Sequence, residues 1–351
     1  MPSKSFWSDL ASKGPIAALA PMDGYCDSPY RRVMKRVAPD IITFAEFYSA
    51  DGLVHSKTLA DTVLPHEADE KPVIFQIFGK DPDMFAKAAV MIEQSGAAGV
   101  DINMGCPAKK VVKSGHGSSL MINRDTAFRI VEEMSKAVSI PVSVKTRLGW
   151  ENPELLKDFC LGLQNAGANL ITVHARTYKQ AFTGQADWSA LFDLKRHLSI
   201  PVIGNGDVID YDDGIRRIQE STWIGSGDTV LDGFMIGRST FGNPWSFLPG
   251  HVRPTLGEIL EIMRLHGDLL WERKGRKGML EARKHLVQYL HGFPGVKTYR
   301  QALVTVETPE MIHAVLDTIT HEHQSILDAI PDDGSSSSQM EAWRSCDIAC
   351  D

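Results

Sequence analysis

A cysteine follows directly on a short apolar, strand-like run in the segment from Asp101 to Leu120, DINMGCPAKKVVKSGHGSSL. Pro107 comes next and fixes the direction in which the chain leaves, and three lysines, the first of them Lys109, precede two glycines. A thiol with an ordinary pKa of about 8.5 keeps its proton at neutral pH, so Cys106 could serve as a proton donor or, once ionised, as a nucleophile. A buried cysteine can also be no more than a small hydrophobe. The basic, glycine-rich loop favours chemistry.

Lys145 interrupts the otherwise apolar run VSVKTRL, which spans residues 142–148. A lysine in a buried strand can be a paired charge, or it can extend its stem towards solvent. It can also form a Schiff base with a carbonyl substrate, or hold a cation against an electron-rich cofactor ring. We expect a functional role for Lys145, but this residue alone does not distinguish an aldolase from a flavoenzyme.

Neutral hydrogen-bonding side chains stand at the ends of three other apolar runs, namely Gln76, Asn103 and His174. The pyrimidine edge of a flavin ring requires such donors and acceptors. A histidine taken by itself is more often a satisfied core residue, so His174 counts as a cofactor contact only as one member of this set.

Two arginines, Arg147 and Arg176, stand at the ends of the runs 142–148 and 170–176, just past the strands that these runs predict. They could hold a substrate, or they could simply pair with the carboxylates of Glu46 and Asp207. The sequence leaves both alternatives open.

Glycines follow two late runs directly, in GNGDV (204–208) and IGRS (236–239). Glycine lets backbone N–H groups approach an anion closely, and the N-terminus of a following helix adds partial positive charge. Arg238 could add a charge-assisted hydrogen bond. These loops predict a phosphate site, with tight turns that bind nothing as the alternative.

Short β-rich runs alternate with helix-like segments along the first two thirds of the chain. The runs cover residues 16–22, 41–47, 73–79, 99–105, 142–148, 170–176, 201–207 and 233–239. Eight such βα units predict an α/β fold, a (β/α)8 TIM barrel whose polar strand ends converge on one rim.

Amphipathic helices without further strands follow the barrel, so a small C-terminal helical domain is predicted. We place the barrel in residues 1–249, the helical domain in 250–330 and a disordered tail in 331–351. Between Arg264 and Arg300 the sequence has nine basic and three acidic residues, against a net charge of −7 for the whole chain. This basic segment predicts a surface for a polyanion.

Composition excludes several other classes of protein. The 351 residues are 43% hydrophobic and 23% charged, as in a globular protein, and no run is long and apolar enough for a membrane span. The five cysteines are scattered, so neither a disulfide framework nor a metal site is expected. The N-terminus lacks the apolar core of a signal peptide, and we expect a cytoplasmic protein with no obligatory protein partner.

The motifs together resemble a known family. They are APMDGYCDSPYR, TFAEFYSADGL, QIFGKDP, DINMGCPAKKVVKSGHGSSLM, VSVKTRLGW, TVHARTYKQAFTGQADW, PVIGNGDV and MIGRSTFGNPW, followed by EARKHLVQYLHGFPG. In this order they resemble the tRNA-dihydrouridine synthases, which are FMN-dependent. The chain departs from the family's usual pattern at Tyr178 and Lys179, where a substrate-contacting arginine is common, and at Asp23 and Cys26.

The resemblance implies a reaction and a set of roles. NADPH would reduce bound FMN, the flavin would pass hydride to C6 of a uracil base in tRNA, and Cys106 would protonate C5 as general acid. The residues implied to hold FMN are Pro21, Met22, Gln76, Lys145, His174, Asn205, Gly206, Asp207, Gly237 and Arg238. Those expected to contact flavin, uracil or tRNA are Asn103, Lys109, Arg147, Arg176, Arg273, Lys274, Arg276 and Lys277.

Three competing functions remain open on sequence alone. A flavin barrel acting on a free pyrimidine, similar to dihydroorotate dehydrogenase, would not need the basic helical domain. A class I aldolase would use Lys145 as a Schiff base and bind no flavin. A non-catalytic tRNA-binding barrel would need a damaged site, whereas Cys106, Lys145 and the glycine loops are all present.

Overall fold

The computed structural model describes residues 3–108, 112–220 and 229–331 of the chain. These residues divide into two compact units. The barrel unit comprises 3–28 and the described part of 40–237, and the helical unit comprises 29–39 and 238–331.

The barrel unit is a closed sheet of eight parallel strands in the described part of the chain. Its strands are β1 (Ile16–Leu19), β2 (Ile42–Ser49), β3 (Val73–Phe78), β4 (Gly99–Asn103), β5 (Val142–Arg147), β6 (Leu170–His174), β7 (Val202–Asn205) and β8 (Gly233–Ile236). Each strand pairs with the next in chain order, and β8 pairs with β1. The predicted (β/α)8 barrel is therefore confirmed. Seven of the strands are shorter than their apolar runs, and β2 extends two residues past its run.

One helix precedes β1, and the other helices lie between and after the strands. They are α1 (Phe6–Ala11), α2 (Ser28–Val37), α3 (Ala50–His55), α4 (Lys57–Val63), α5 (Pro82–Gln94), α6 (Arg124–Ala137), α7 (Leu156–Asn165), α8 (Ser189–His197), α9 (Tyr211–Ile218), α10 (Leu256–Lys274), α11 (Arg276–Tyr289), α12 (Val296–Leu303) and α13 (Pro309–Glu322). Helix α5 shows how the sequence sets such an element. Asp81 caps it by accepting from the N–H of Asp83 at 2.9 Å, and Pro82 supplies a preset φ at the first position.

Apolar side chains fill the barrel near the beginning and middle of the strands. Ile16, Ile42, Ile74 and Leu170 belong to one buried cluster. Trp7 of α1 is fully buried in the same cluster. The site residues predicted from the sequence, such as Asn103 and His174, lie at the opposite, C-terminal ends of the strands.

The helical unit contains a buried cluster of aromatic side chains, to which α2 contributes Tyr30. The ring of Tyr30 lies 5.9 Å from that of His266 and 5.5 Å from that of His285, centroid to centroid. The Tyr30 hydroxyl hydrogen-bonds the Thr240 hydroxyl at 2.7 Å, and His266 Nδ1 lies 3.1 Å from the hydroxyl of Tyr289. Burial lowers the pKa of His285 well below its usual value, so the cluster is uncharged at that ring.

The division into units differs from the predicted domain limits of 1–249 and 250–330. It falls after Gly237, at the end of β8, and it assigns residues 29–39 to the helical unit. The sequence pattern placed α2 in the barrel because this helix stands between two strands, whereas its buried Tyr30 packs with residues far along the chain. Of the predicted tail, residues 332–351 lie outside the described residues.

No helix in the three described ranges combines the length and apolarity needed to cross a membrane. Within the same ranges, no group of three or more His, Cys, Asp or Glu side chains could hold a metal ion.

Barrel closure yields a first test at Gly233. A Cβ added there would lie 2.2 Å from the carbonyl oxygen of Ile16, across the β1–β8 pair. Gly233→Ala should therefore lower the free energy of unfolding by about 1–3 kcal/mol, measured by chemical denaturation without cofactor. Gly237→Ala is the control, because its Cβ would meet nothing closer than 3.7 Å. Equal stability of the two variants would show that the β1–β8 pair tolerates the added carbon.

Candidate active site

The strand register brings the predicted polar residues together at the C-terminal end of the barrel. Asn103 of β4 is paired in register with Lys145 of β5, and His174 of β6 with Asn205 of β7. Gln76 of β3 completes the set on the neighbouring strand. Five of the predicted site residues thus lie on five adjacent strands, β3 to β7.

A chain of side-chain hydrogen bonds links two of these strands and ends at the cysteine. Gln76 Nε2 donates to Asp101 Oδ2 at 2.6 Å, and Asn103 Nδ2 donates to Gln76 Oε1 at 2.8 Å. Asn103 Oδ1 then accepts from the backbone N–H groups of Gly105, at 3.2 Å, and Cys106, at 2.9 Å. The amide of Asn103 thus caps the turn that carries Cys106.

The Cys106 turn is also held from two other sides. Ser118 donates to the Cys106 carbonyl oxygen through its backbone N–H at 3.2 Å and its hydroxyl at 2.8 Å. Arg147 Nε donates to the carbonyl oxygen of Gly105 at 2.7 Å. The Cys106 side chain is half-buried, and its thiol is not in a disulfide. Lys109, predicted to meet the substrate from this loop, lies outside the described residues.

Lys145 projects from β5 at the rim of the barrel. Its Nζ donates to Asn205 Oδ1 at 3.2 Å, and Asn205 Nδ2 in turn donates to the Met235 carbonyl oxygen at 2.9 Å. Burial, followed by the positive charge of Arg147, lowers the pKa of Lys145 to about 8, with Asp101 acting in the opposite direction. Lys145 therefore remains mostly protonated at neutral pH.

The two arginines chiefly organise loops. Arg147 is buried, and besides Gly105 it donates to the carbonyl oxygens of Thr177, at 3.2 Å, and Ala181, at 2.6 Å. Burial lowers the pKa of its guanidinium to about 10. Of the pairings left open by the sequence, an ion pair with Glu46 is not among the Arg147 contacts in the described part of the chain.

Arg176 forms the other pairing considered from the sequence. Its Nη2 donates to both carboxylate oxygens of Asp207, at 2.9 and 2.8 Å, and the Arg176 side chain is only 4% exposed. Its Nη1 lies 3.3 Å from His174 Nε2. Because a guanidinium only donates, Nε2 accepts in this contact, and neutral His174 carries its proton on Nδ1. A direct contact of either arginine with substrate remains a prediction.

The two predicted glycine loops differ in geometry. Gly206 has φ +116°, and an added Cβ would lie 2.9 Å from both His174 Cδ2 and Ala186 Cβ. Asp207 takes the left-handed conformation, φ 57°, held by its ion pair with Arg176. Gly237 is open, since its Cβ would meet nothing closer than 3.7 Å.

The remaining residues predicted to hold the cofactor follow the first and the last strand of the barrel. Pro21 and Met22 follow β1 closely, and Met22 Sδ is one of the atoms nearest to an added Cβ at Gly237. Arg238 is the first residue of the second segment of the helical unit, where it opens a 3-10 helix, Arg238–Thr240. Its part in phosphate binding remains a prediction.

Three of the four residues that depart from the family pattern make specific local contacts. The ring of Tyr178 stacks on Trp150 with centroids 3.9 Å apart, and Lys179 Nζ forms an ion pair with Glu151 at 2.5 Å. Cys26 is buried and donates from Sγ to the Ala20 carbonyl oxygen at 3.1 Å, while Asp23 is exposed.

The predicted basic residues of the helical unit are not equivalent. Arg276 and Lys277 have side chains 75% and 77% exposed. Lys274 is 24% exposed and paired with Glu281 at 2.5 Å, and Arg273 shares the last turn of α10 with it. Arg276 lies 3.3 Å from Glu307, an acid outside the segment counted from the sequence, so the basic surface is less charged than the count suggests.

Sequence reasoning missed two groups of residues. Asp101 and Ser143 are fully buried, and the Ser143 hydroxyl donates to Asp101 Oδ1 at 2.6 Å. The available signal was an acid two positions before Asn103, on the same inward face of a buried strand. Basic residues of α2, such as Arg36 with a 65% exposed side chain, also belong to the helical unit.

The fold and the side chains at its rim are those of an α/β-barrel enzyme. The sequence profile of the family described as dihydrouridine synthase (Dus) matches residues 18–325. A probable tRNA-dihydrouridine synthase 1 of Synechocystis sp. is 37% identical over 310 residues, which cover 85% of this chain and 84% of that protein. Probable tRNA-dihydrouridine synthases of Mycobacterium tuberculosis and Rickettsia prowazekii are 34% and 33% identical, covering 87% and 89% of this chain and 84% and 95% of theirs.

The chain belongs to the dihydrouridine synthase family, and it is an oxidoreductase. The family resemblance found in the motifs is confirmed, and the aldolase alternative for Lys145 is removed.

The buried Asp101 carboxyl makes stability depend on pH. Burial raises its pKa to about 6, against opposing hydrogen bonds from Gln76 and Ser143 and the charge of Lys145. An unfolded carboxyl has a pKa of about 3.9, so the folded state binds this proton more tightly and loses stability as the pH rises from about 4 through about 6. Asp101→Asn removes this titration.

The free energy of unfolding of Asp101→Asn, relative to the parent protein, should thus rise by roughly 2–3 kcal/mol between about pH 4 and pH 7. Chemical denaturation across this range measures the difference, and other carboxyls cancel in the comparison. A difference that stays constant with pH would mean that Asp101 keeps an ordinary pKa.

Proposed function

We propose that the protein reduces the C5–C6 double bond of uridine in tRNA, with FMN as its bound cofactor and NADPH as the reductant. The observation that carries the proposal is the hydrogen-bond chain that presents Cys106 at the barrel rim, beside Lys145, in a chain of the dihydrouridine synthase family. The tRNA named for its relatives and the exposed basic residues of the helical unit support this substrate. The cytoplasm, as expected from the sequence, is the proposed site of action.

The side chains present fit a flavin mononucleotide. Lys145 offers a cation, and Gln76 and Asn103 offer neutral amides on the neighbouring strands β3 and β4. Asn205 offers a third amide from β7. Gly237 leaves its backbone open to close approach by a phosphate. We therefore assign the ring to the amides and Lys145, with His174, Pro21 and Met22 as further contacts.

The phosphate is assigned to the two glycine loops. Gly206 and Gly237 supply backbone groups, Asp207 is locked by Arg176, and Arg238 adds a positive charge. When bound and reduced by NADPH, FMN supplies the hydride for C6 of the uracil base.

Cys106 is assigned the proton transfer. Its Sγ–H bond breaks as the proton moves to C5 of the base, which leaves a thiolate. Lys145 and Arg147 both interact electrostatically with Cys106, so their positive charges stabilise that thiolate. A uracil must leave its stacked position in tRNA to reach the rim, which costs a few kcal/mol. Asn103 and Arg176 are proposed to orient the base there.

Substitution of the thiol tests the chemical assignment. Cys106→Ala should retain the visible absorption of bound flavin and lose at least about 100-fold in dihydrouridine formation, the usual contribution of a general acid. Mass spectrometry of digested tRNA measures the product. Cys160→Ala, at a buried thiol in α7, is the control. Undiminished turnover of Cys106→Ala on the same tRNA would remove this residue from the mechanism.

The tRNA surface is tested at Arg276 and Lys277, the two most exposed of the cations predicted in the helical unit. Arg276→Gln with Lys277→Gln should weaken tRNA binding and reduce the slope of log K against log salt by about 0.7–0.9 per lost phosphate contact. The matched control is Lys57→Gln with Lys136→Gln, exposed lysines of the barrel unit with side chains 86% and 61% accessible. The same affinity and salt slope in both double variants would show that α11 does not hold the phosphates.

A further inference from the structure

We propose that Asp101 is a positioning residue that fixes Cys106 through Gln76 and Asn103. This inference rests on the proposed function, because it concerns how the same site holds its proton donor. Asp101 itself lies at the buried end of the hydrogen-bond chain, two residues before Asn103 on β4.

The two ends of the chain dictate the orientation of both amides. At one end the ionised Asp101 carboxylate can only accept, so Gln76 must turn its Nε2 towards it. At the other end the backbone N–H groups of Gly105 and Cys106 can only donate, so Asn103 must turn its Oδ1 towards them. The remaining bond, from Asn103 Nδ2 to Gln76 Oε1, satisfies both requirements at 2.8 Å.

The surroundings of Asp101 indicate that its charge serves this purpose. The side chain is fully buried, and each carboxylate oxygen accepts one short hydrogen bond, from Gln76 or from Ser143. Nearby positions of the barrel interior, such as Ile74, are apolar. Burial opposes ionisation of Asp101, so an apolar or neutral residue would suit the packing better, and a charge kept at such a cost marks a functional position.

Loss of the Asp101 carboxylate removes the constraint that orients the amides of Gln76 and Asn103. In Asp101→Asn the new amide can donate to Gln76, which is then free to turn its own Nε2 towards Asn103. Asn103 would then accept from Gln76 through Oδ1. Its Nδ2 would face the N–H groups of Gly105 and Cys106, which are also donors. The turn that carries the thiol would lose its cap.

A paired substitution restores the order with the charge moved to the neighbouring strand. In Asp101→Asn with Gln76→Glu, the carboxylate at position 76 accepts both from the amide at position 101 and from Asn103. Asn103 Oδ1 then faces the backbone N–H groups again. Ser143→Ala is the matched control, because it removes a bond to Asp101 but leaves the Gln76 contact in place.

The decisive readout is the alkylation rate of Cys106 by iodoacetamide in the full-length flavoprotein, located by peptide mass spectrometry. This measurement requires no turnover. Cys160 is fully buried, so its alkylation reports general opening of the fold in any of the variants. Asp101→Asn should raise the Cys106 rate several-fold, Ser143→Ala should leave it near the parent value, and the paired substitution should lower it again. Single-turnover uridine reduction, started from the already reduced flavoprotein, should fall about 10- to 100-fold in Asp101→Asn.

The outcomes separate the two proposals. A Cys106 alkylation rate in Asp101→Asn equal to that of the parent protein overturns the positioning role. The positioning role is also overturned if the paired substitution does not return the Cys106 alkylation rate to near the parent value. This comparison of the paired variant with the parent protein still decides if Asp101→Asn alone does not fold. If the parent protein forms no dihydrouridine in tRNA, the proposed function fails, while the alkylation rates still decide what Asp101 does.

Discussion

Hydrogen bonding between β8 and β1 closes the sheet, and the whole site depends on this closure. In register, Ile16 meets Gly233 and Leu19 meets Ile236, which joins the first and last strands of the barrel. The successive pairs from β3 to β7 place Gln76, Lys145 and Asn205 on a continuous wall. Closure then brings the end of β8 beside the end of β1, so that Gly237 and Pro21 share the same rim. In an open sheet the glycine loops after β7 and β8 would lie far from Pro21, which follows β1.

Buried charges at the rim set the electrostatics of the site. Lys145, Arg147 and Arg176 are cationic, and Asp101 and Asp207 oppose them. The charges of Lys145 and Arg147 favour negative charge near Cys106, whereas Arg176 and Asp207 balance each other beside Gly206. A thiolate left at Cys106 after proton transfer would benefit from this field. The arginines contribute a second effect through hydrogen bonds to backbone carbonyl groups. Arg147 holds the turn that carries the thiol, and Arg176 holds the loop at Gly184.

The sequence predicts the barrel well because its signals are local and repeated. Apolar runs that end in polar residues recur at each βα unit, and period-2 alternation places Asn103, Lys145 and His174 on the inner face. The fate of α2 could not be predicted in the same way. Its position between two strands resembles that of any barrel helix, and its assignment depends on ring contacts of Tyr30 with residues more than two hundred positions away.

The contacts of the charged side chains could not be predicted from the sequence either. Pairing of Arg176 with Asp207 was one of two alternatives, whereas the bonds of Arg147 to three carbonyl groups require knowledge of how the loops fold back. Its alternation with Asn103 places Asp101 on the inward face of β4, but this pattern does not show which side chains Asp101 contacts. Its importance follows from its contacts with Gln76 and Ser143, which lie on neighbouring strands.

The most direct test of the account is the transfer of reducing power from the flavin to tRNA. The purified protein should show visible flavin absorption that bleaches with NADPH in the absence of oxygen. On mixing with unmodified tRNA, the absorption should return, and dihydrouridine should appear in stoichiometric amount; tRNA already carrying the modification should not restore it. A colourless protein that cannot be reconstituted with FMN, or a bleached flavin that unmodified tRNA leaves unchanged, would contradict the account.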